Sequence, residues 1–345
     1  MGGMDDRWFL AVIALLALGP ACTTHPASNR ADAAVGPSGG TSGAGGTPAT
    51  GGTTYVPDPA HPIVEVPIPT TYPFASDITA GPDGNLWFTE DVVDKVGRIT
   101  PDGVITEFAL PSNCAPKGIT AGPDGNLWFA EWLAGKIGRI TPDGTLTEFA
   151  LAGGPECIVA GPDGALWFTQ NGPSRIGRIT TDGAVTTFAI GSGSEALDLH
   201  DITVGPDGYL WFVESAKGIG SITVAGQANE IPGTGGGPEH LTAGPDGNLW
   251  YTEYTDNKIG RLTTTGTLTE FPLPTAHSGP TGITTGPDGN LWFTEATGQK
   301  LGRITPSGVI TEFALPQPCG PQGITAGPDG NLWIACVSTI ARITP

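Results

Sequence analysis

Lysine and arginine are scarce in this chain of 345 residues, 15 against 34 aspartates and glutamates, for a formal net charge of −19. The basic stripe that nucleic-acid phosphate requires is therefore missing, and nucleic acid is excluded as a partner. Charged residues make up only 14% of the chain, so the acidity reflects missing cations more than acidic runs. No apolar stretch reaches the roughly 18 residues that would cross a bilayer as a helix. Long helical periodicity is absent after residue 20, because 54 glycines and 33 prolines interrupt it, and an all-α fold is excluded. The repeated body has no Gly-x-Ser-x-Gly elbow, the one match at Gly36–Gly40 falling in a Gly/Ser/Thr/Pro tract, and the chain has no Cys-x-x-Cys pair, so nucleophilic hydrolysis has no support and no zinc-type cysteine pair is present.

What is present begins with an address. Phe9 to Gly19 (FLAVIALLALG) is an apolar run behind Arg7, of a length that suits the hydrophobic region of a secretory signal. It leads into Leu18-Gly19-Pro20-Ala21-Cys22, which resembles a bacterial lipoprotein cleavage box with Cys22 as the lipid anchor, although Gly19 stands where an aliphatic residue is usual. The other reading is an ordinary signal with an incidental cysteine. Residues 23–60 are a Gly/Ser/Thr/Pro tract unable to bury a core, and they read as a disordered tether. His25 and His61 lie in or beside it and are expected to be solvated. An exported protein follows, touching the membrane only through its anchor.

Residues 61–345 repeat. Gly-Pro-Asp-Gly starts at 81, 122, 161, 205, 244, 286 and 327. Each copy precedes a run with one tryptophan (Trp87, Trp128, Trp167, Trp211, Trp250, Trp292, Trp333), then an Ile-Gly-Arg-Ile-like run, a turn and a further run. Four short β-branched and aromatic segments in about 40 residues are the arithmetic of a propeller blade. The expectation is an all-β, seven-bladed propeller of four-stranded blades, in one domain. Each tryptophan is expected to pack between neighbouring blades. The last copy lacks its outer strand, and Ile63–Pro69 (IVEVPIP) matches it, so an N-terminal strand is expected to complete the last blade and close the ring. The repeated aspartates read as turn residues, since an EF-type calcium loop needs further acids at alternate positions.

The start of each blade's innermost strand reads Ser76, Lys117, Glu156, His200, Glu239, Thr281 and Gln322. This varied set is the expected ligand rim at one mouth of the channel. Glu90, Glu131, Glu214, Glu253 and Glu295, with Gln170 in the same place, close the second strands and are expected to make that mouth acidic. Lys117 is expected to pair with a neighbouring Glu. His277 is expected to be exposed. With Cys22 given to lipid, four cysteines allow three pairings. The positions favour Cys319–Cys336, which flank the first hairpin of the last blade, and Cys114–Cys157, on the rims of adjacent blades.

The recurring GPDGNLWFTE…KIGRITPDGTLTEFALP, as at 122–151, resembles the streptogramin B lyase (virginiamycin B lyase) family over about residues 62–345. The resemblance implies opening of a cyclic depsipeptide antibiotic by elimination across its ester. A His base would remove the proton beside the carbonyl, and Mg²⁺ held by two Glu would stabilise the enolate-like charge. The family's last-blade pattern is Glu-x-His with Glu 14 residues later; here those places hold Gly320, Gln322 and Cys336. The supporting His falls on Glu239, with His240 one residue off, and the first-blade Tyr on Ser76. The spacing reappears in the fourth blade as Asp198, His200 and Glu214. A plain hairpin would set His200 beside Glu214, with Asp198 and Glu214 as Mg²⁺ ligands and His200 as base.

Two expectations result. The first is a surface-anchored, monomeric binding or scaffold propeller with an acidic rim, taking a small molecule or peptide at its mouth and needing no known cofactor. The second is a Mg²⁺-dependent lyase with His200 as base.

Overall fold

The computed structural model describes residues 61–345 apart from 173, 192–197, 216, 232 and 235. The expectations for the signal, Cys22, His25 and the tether lie outside the described residues. Twenty-eight strands among the described residues form seven four-stranded antiparallel sheets. Strand β1 (Ile63–Pro67) comes first. Blade one is β2 (Ala75–Ala80), β3 (Leu86–Glu90), β4 (Lys95–Ile99) and β5 (Ile105–Ala109). The innermost strands of blades two to seven are β6 (Pro116–Ala121), β10 (Gly154–Ala160), β14 (Leu199–Val204), β18 (Pro238–Ala243), β22 (Pro280–Thr285) and β26 (Pro321–Ala326). Blade seven continues with β27 (Leu332–Cys336) and β28 (Thr339–Ile343), and β1 pairs with β28 from Ile63↔Ile343 to Pro67↔Thr339. Each innermost strand touches the next, and β26 touches β2. The first strand among the described residues completes the last blade, which leaves that sheet no open edge at the seam.

Local chemistry explains the repetition. In the Gly-Pro-Asp-Gly turn, Gly84 adopts φ 76°, where a Cβ would be strained. Asp83 Oδ1 accepts hydrogen bonds from the Asn85 N–H at 3.2 Å and from Trp87 Nε1 at 3.1 Å. The turn therefore also anchors the only polar atom of a buried indole, which satisfies it. Although partial burial opposes it, the hydrogen bonds from Asn85 and Trp87 hold the Asp83 carboxyl below its ordinary pKa. These aspartates are turn residues, spent on their own chain.

The seven repeat tryptophans are fully buried between blades: Trp87 packs with Ile119, Leu127 and Phe129 of blade two, and Trp333 with Ile78 and Phe88 of blade one. Trp87 stacks on Phe108 with ring centroids 5.3 Å apart, and the Arg98 guanidinium lies 5.6 Å from the Trp87 ring. Arg98 Nη1 then donates to Pro142 O of the next blade at 2.9 Å. Arg342 does the same to Pro101 O at 2.7 Å, across the seam between blades seven and one. Blade four has Ser221 opposite Trp211 in place of this arginine. His61 is half-buried against Phe313, ring centroids 5.0 Å apart, and not a solvated bystander as its neighbouring sequence suggests.

Candidate functional site

Every innermost strand carries the same irregularity near its start. In blade four the register runs Leu199↔Glu214 and then Ile202↔Phe212, so His200 and Asp201 together oppose Val213. Equivalent shifts occur at Ala75/Ile78, Pro116/Ile119, Pro155/Ile158, Pro238/Leu241, Pro280/Ile283 and Pro321/Ile324. Two residues facing one is a β-bulge, which bends the strand and re-aims its side chains. A plain hairpin count cannot anticipate it. The expected juxtaposition of His200 with Glu214 is therefore corrected: Glu214 stands opposite Leu199, on the Leu210–Phe212 face of its strand, and His200 is turned elsewhere.

His200 is wholly buried, between blades three and five. Its Nε2 lies 3.5 Å from Asp198 Oδ2, and its Nδ1 lies 3.6 Å from Glu239 Oε2. Burial alone would push the imidazole pKa down; the Asp198 hydrogen bond and the charges of Glu239 and Glu156 more than reverse this, to about 9. Burial raises Glu156 and Glu239 to about 7, against the pull of His200 on both. Asn171 ties the cluster together, its Nδ2 donating to Glu156 Oε2 at 2.6 Å and to Leu199 O at 3.1 Å. Beside it, Lys117 is buried, with Nζ 3.4 Å from Asp91 Oδ2 and 5.4 Å from the Trp132 ring centroid. Burial lowers its pKa while Asp91 and Glu156 oppose the change. Its ion-pair partner is thus Asp91, not the Glu expected from the sequence.

The residues of the expected rim fall into two groups. Lys117, Glu156, His200 and Glu239 form one buried charged cluster across blades two to five. Ser76 and Thr281 are bonded back to second-strand hydroxyls, Thr89 at 3.0 Å and Thr294 at 2.8 Å, and Gln322 Nε2 donates to Gly320 O at 3.3 Å. His277 is exposed, as expected.

The acidic-mouth expectation needs correction. Glu90, Glu131, Glu214, Glu253 and Glu295 are buried within their sheets. Glu131 Oε1 lies 2.6 Å from where a Cβ on Gly138 would stand, so its carboxyl is aimed outward along the blade rather than at the channel. Burial first, and then the neighbouring Glu107 or Glu148, raises Glu90 and Glu131 to about 8. Asp198, beside His200, has a side chain that is 47% exposed.

Sequence reasoning passed over a second ring of residues. Asp77 and Asp201 are the second members of their bulges. Asp77 accepts the N–H of Ile78 at 2.8 Å and that of Ile119 in the next blade at 2.9 Å; Asp201 treats Ile202 and Leu241 identically. Each carboxylate laces two blades. The shared Asp-Ile-Thr at 77–79 and 201–203 is the signal that would have found them. His240 Nδ1 lies 3.4 Å from Asp201 Oδ2, and burial, opposed in part by Ile119 and His240, raises Asp77 to about 6.

Cys319 and Cys336 are disulfide-bonded, with Cα atoms 5.2 Å apart, stapling the first hairpin of blade seven. The Cys114–Cys157 expectation is corrected. Cys114 is a buried free thiol whose Sγ lies 3.2 Å from Asp94 Oδ1. Asp94 also takes the N–H groups of Asn113, Cys114 and Ala115, which ties this loop back to blade one rather than toward Cys157.

The virginiamycin B lyase family model matches residues 47–232 and 202–345. The chain belongs to the virginiamycin B lyase family. A solved streptogramin B lyase structure is 35% identical, covering 82% of this chain and 97% of that one, with a TM-score of 0.77. Virginiamycin B lyase from Staphylococcus aureus is 36% identical over 83% of this chain and 99% of that one, also at 0.77. The extracellular domain of a hybrid two-component system from B. thetaiotaomicron shares the fold at 13% identity and a TM-score of 0.66, over 81% of this chain and 42% of that one. No curated protein sequence matches the chain.

Family membership brings Mg²⁺ into question, and the blade-four residues do not fit it. Glu214 is buried on a different face from His200, and Asp198 Oδ2 is taken up by the imidazole. Among the described residues no three His, Cys, Asp or Glu side chains are grouped to hold a metal ion.

Proposed function

We propose that this member of the virginiamycin B lyase family is an exported binding propeller, holding a small polar molecule or peptide at the channel mouth around Lys117, Glu156, His200 and Glu239. The observation that carries this reading is the setting of His200, with a carboxylate 3.5 Å from one ring nitrogen and another 3.6 Å from the other. A general base needs a free lone pair within reach of a substrate proton. An imidazolium clamped between carboxylates instead offers a fixed positive charge. In the last blade, where the family resemblance locates its catalytic residues, Gly320 and Gln322 stand with a disulfide at Cys336.

The mouth has the parts for binding. Glu156 Oε1 is buried with no hydrogen-bond partner among the described residues, and Lys117 Nζ is buried with Asp91 Oδ2 at 3.4 Å, an acceptor and a donor in one cluster. A ligand group that both accepts and donates, such as an amide, satisfies the two together, and unmet buried polar groups cost about 1–3 kcal/mol each. Asp198, half-exposed, supplies the entry and draws an ammonium group. Export, with Cys22 carrying lipid and residues 23–60 as tether, accords with the apolar run at Phe9 to Gly19 and with a disulfide that persists in oxidising compartments.

The test uses the ligand of the relatives. The purified chain is incubated with a streptogramin B antibiotic and Mg²⁺, and the mixture is analysed by chromatography and fragmentation mass spectrometry, since elimination opens the ring without changing its mass. The binding reading expects an intact ring at high protein concentration. Linear product that is lost on chelation and in His200→Ala would overturn it and restore the lyase.

A further inference from the structure

The glutamates that end the second strands do not belong to the mouth, and their surroundings are peculiar. Both carboxyl oxygens of Glu90, Glu131 and Glu253, and Oε1 of Glu295, are buried without a hydrogen-bond donor among the described residues. A bare carboxylate in that position is costly; a neutral carboxyl, which is itself a donor, is not.

The charge count within each blade leads the same way. Each of these glutamates faces an outer-strand glutamate, and one lysine serves both. That lysine is engaged with the outer partner: Lys95–Glu107 at 3.1 Å, Lys136–Glu148 at 3.1 Å, Lys258–Glu270 at 2.8 Å and Lys300–Glu312 at 2.6 Å. Two carboxyls and one cation leave the inner carboxyl to be neutralised by a proton. The glycine beneath permits the approach, since Gly97, Gly138, Gly260 and Gly302 stand opposite Glu107, Glu148, Glu270 and Glu312.

Blade three supplies an internal comparison. There the second strand ends in Gln170, a permanently neutral side chain of the same shape, and the outer-strand partner is Thr187. The position accepts an uncharged amide, as expected where the acid is held uncharged.

We propose that Glu90, Glu131, Glu253 and Glu295 are proton-bearing latches, each held as a neutral carboxyl against its blade's outer-strand glutamate, and that removing those protons in alkaline medium loosens the ring at its mouth end. The location follows from the pairing. Glu90 opposes Ala75, Glu131 opposes Pro116, Glu253 opposes Pro238 and Glu295 opposes Pro280, each the residue immediately before a rim position. An anion formed there pushes on the start of the strand that carries Ser76, Lys117, Glu239 or Thr281.

The groups facing each latch are few. Glu90 meets Glu107 and Lys95. Glu131 meets Glu148 and Lys136, with Asp94 of the preceding blade and the Cys114 thiol nearby. Glu253 meets Glu270, Lys258, Asp256 and the Tyr251 hydroxyl, and Glu295 meets Ser278, Glu312 and Lys300. Burial raises Glu90 and Glu131 to about 8 and Glu253 and Glu295 to about 7. The folded state then holds more protons than the unfolded one between the ordinary carboxyl range and about pH 8. Stability is full at the acid end of that window and is lost as pH rises through it.

The experiment follows the thermal midpoint of the full chain from about pH 6 to about pH 9, beside a Glu90→Gln/Glu131→Gln/Glu253→Gln/Glu295→Gln variant. The unaltered chain is expected to lose roughly 5–10 °C, and the variant less than half of that. An equal fall in both overturns the proposal. Should the variant not fold, infrared titration of the unaltered chain decides. The carbonyl band of protonated carboxyl groups is expected near neutral pH and lost by about pH 9, and its absence near neutral pH overturns the proposal.

Discussion

The charge on His200 separates the two readings of this protein, and its size can be worked out. The imidazole ordinarily titrates near 6.5 and is held here at about 9 by Asp198, Glu239 and Glu156, against the opposing effect of burial. At about 1.4 kcal/mol per pH unit, that gap corresponds to about 3 kcal/mol of stability. Asp198 is 47% exposed, so solvent screens its share, and about 2 kcal/mol is the expected figure. The group's folded pKa is raised, so this stability is fully present below about pH 6.5 and is lost as pH climbs through about 9. The measurement is the pH titration of the imidazole carbon–proton resonances, with His200 assigned by its loss in His200→Gln. Denaturant unfolding of the same two proteins at about pH 6 and about pH 10 supplies the energies. His200→Gln should cost more at the acid end than at the alkaline end, and Glu239→Gln should bring the His200 midpoint down. A midpoint at or below about 6.5 in the unaltered chain would refute the reasoning, because the ring would then hold a free lone pair at neutral pH.

Two further outcomes test the scaffold. Reducing or replacing the Cys319–Cys336 bridge, which closes a loop with a sequence separation of 17, should cost about 3 kcal/mol of unfolding free energy, measured by denaturant melts of Cys319→Ser/Cys336→Ser against the parent. Gly97→Ala places a Cβ 2.1 Å from Phe88 Cζ, so the ring must shift and overpacking should cost about 1–3 kcal/mol. An unchanged melting temperature in Gly97→Ala would mean that the blade interior is looser than its geometry implies.

Much of this molecule is legible as text because a propeller is built from local instructions. The Gly-Pro-Asp-Gly turn, the alternation that buries Trp87 and Leu86 on opposite sides of one strand, and the missing outer strand of the last copy all act over a few residues. Seven repetitions make them unmistakable. The closing strand at Ile63–Pro67 was readable for the same reason, since it is a repeat fragment out of place.

What the alternation misled about was the site. It set His200 beside Glu214 and put Glu90 and its counterparts at the mouth, because a period of two assumes an unbroken ladder. The bulge at each innermost strand adds a residue and turns His200 toward Asp198 and Glu239. No count along the chain sets Glu156 and Glu239 around His200, nor Asp94 rather than Cys157 against Cys114. Those neighbours come from different blades and loops, and closing the ring brings them together. Charge state follows neighbours and burial, not residue type. The repeats written in the chain account for the propeller, and what the mouth can do chemically is set by side chains that meet only after the seventh blade has returned to the first.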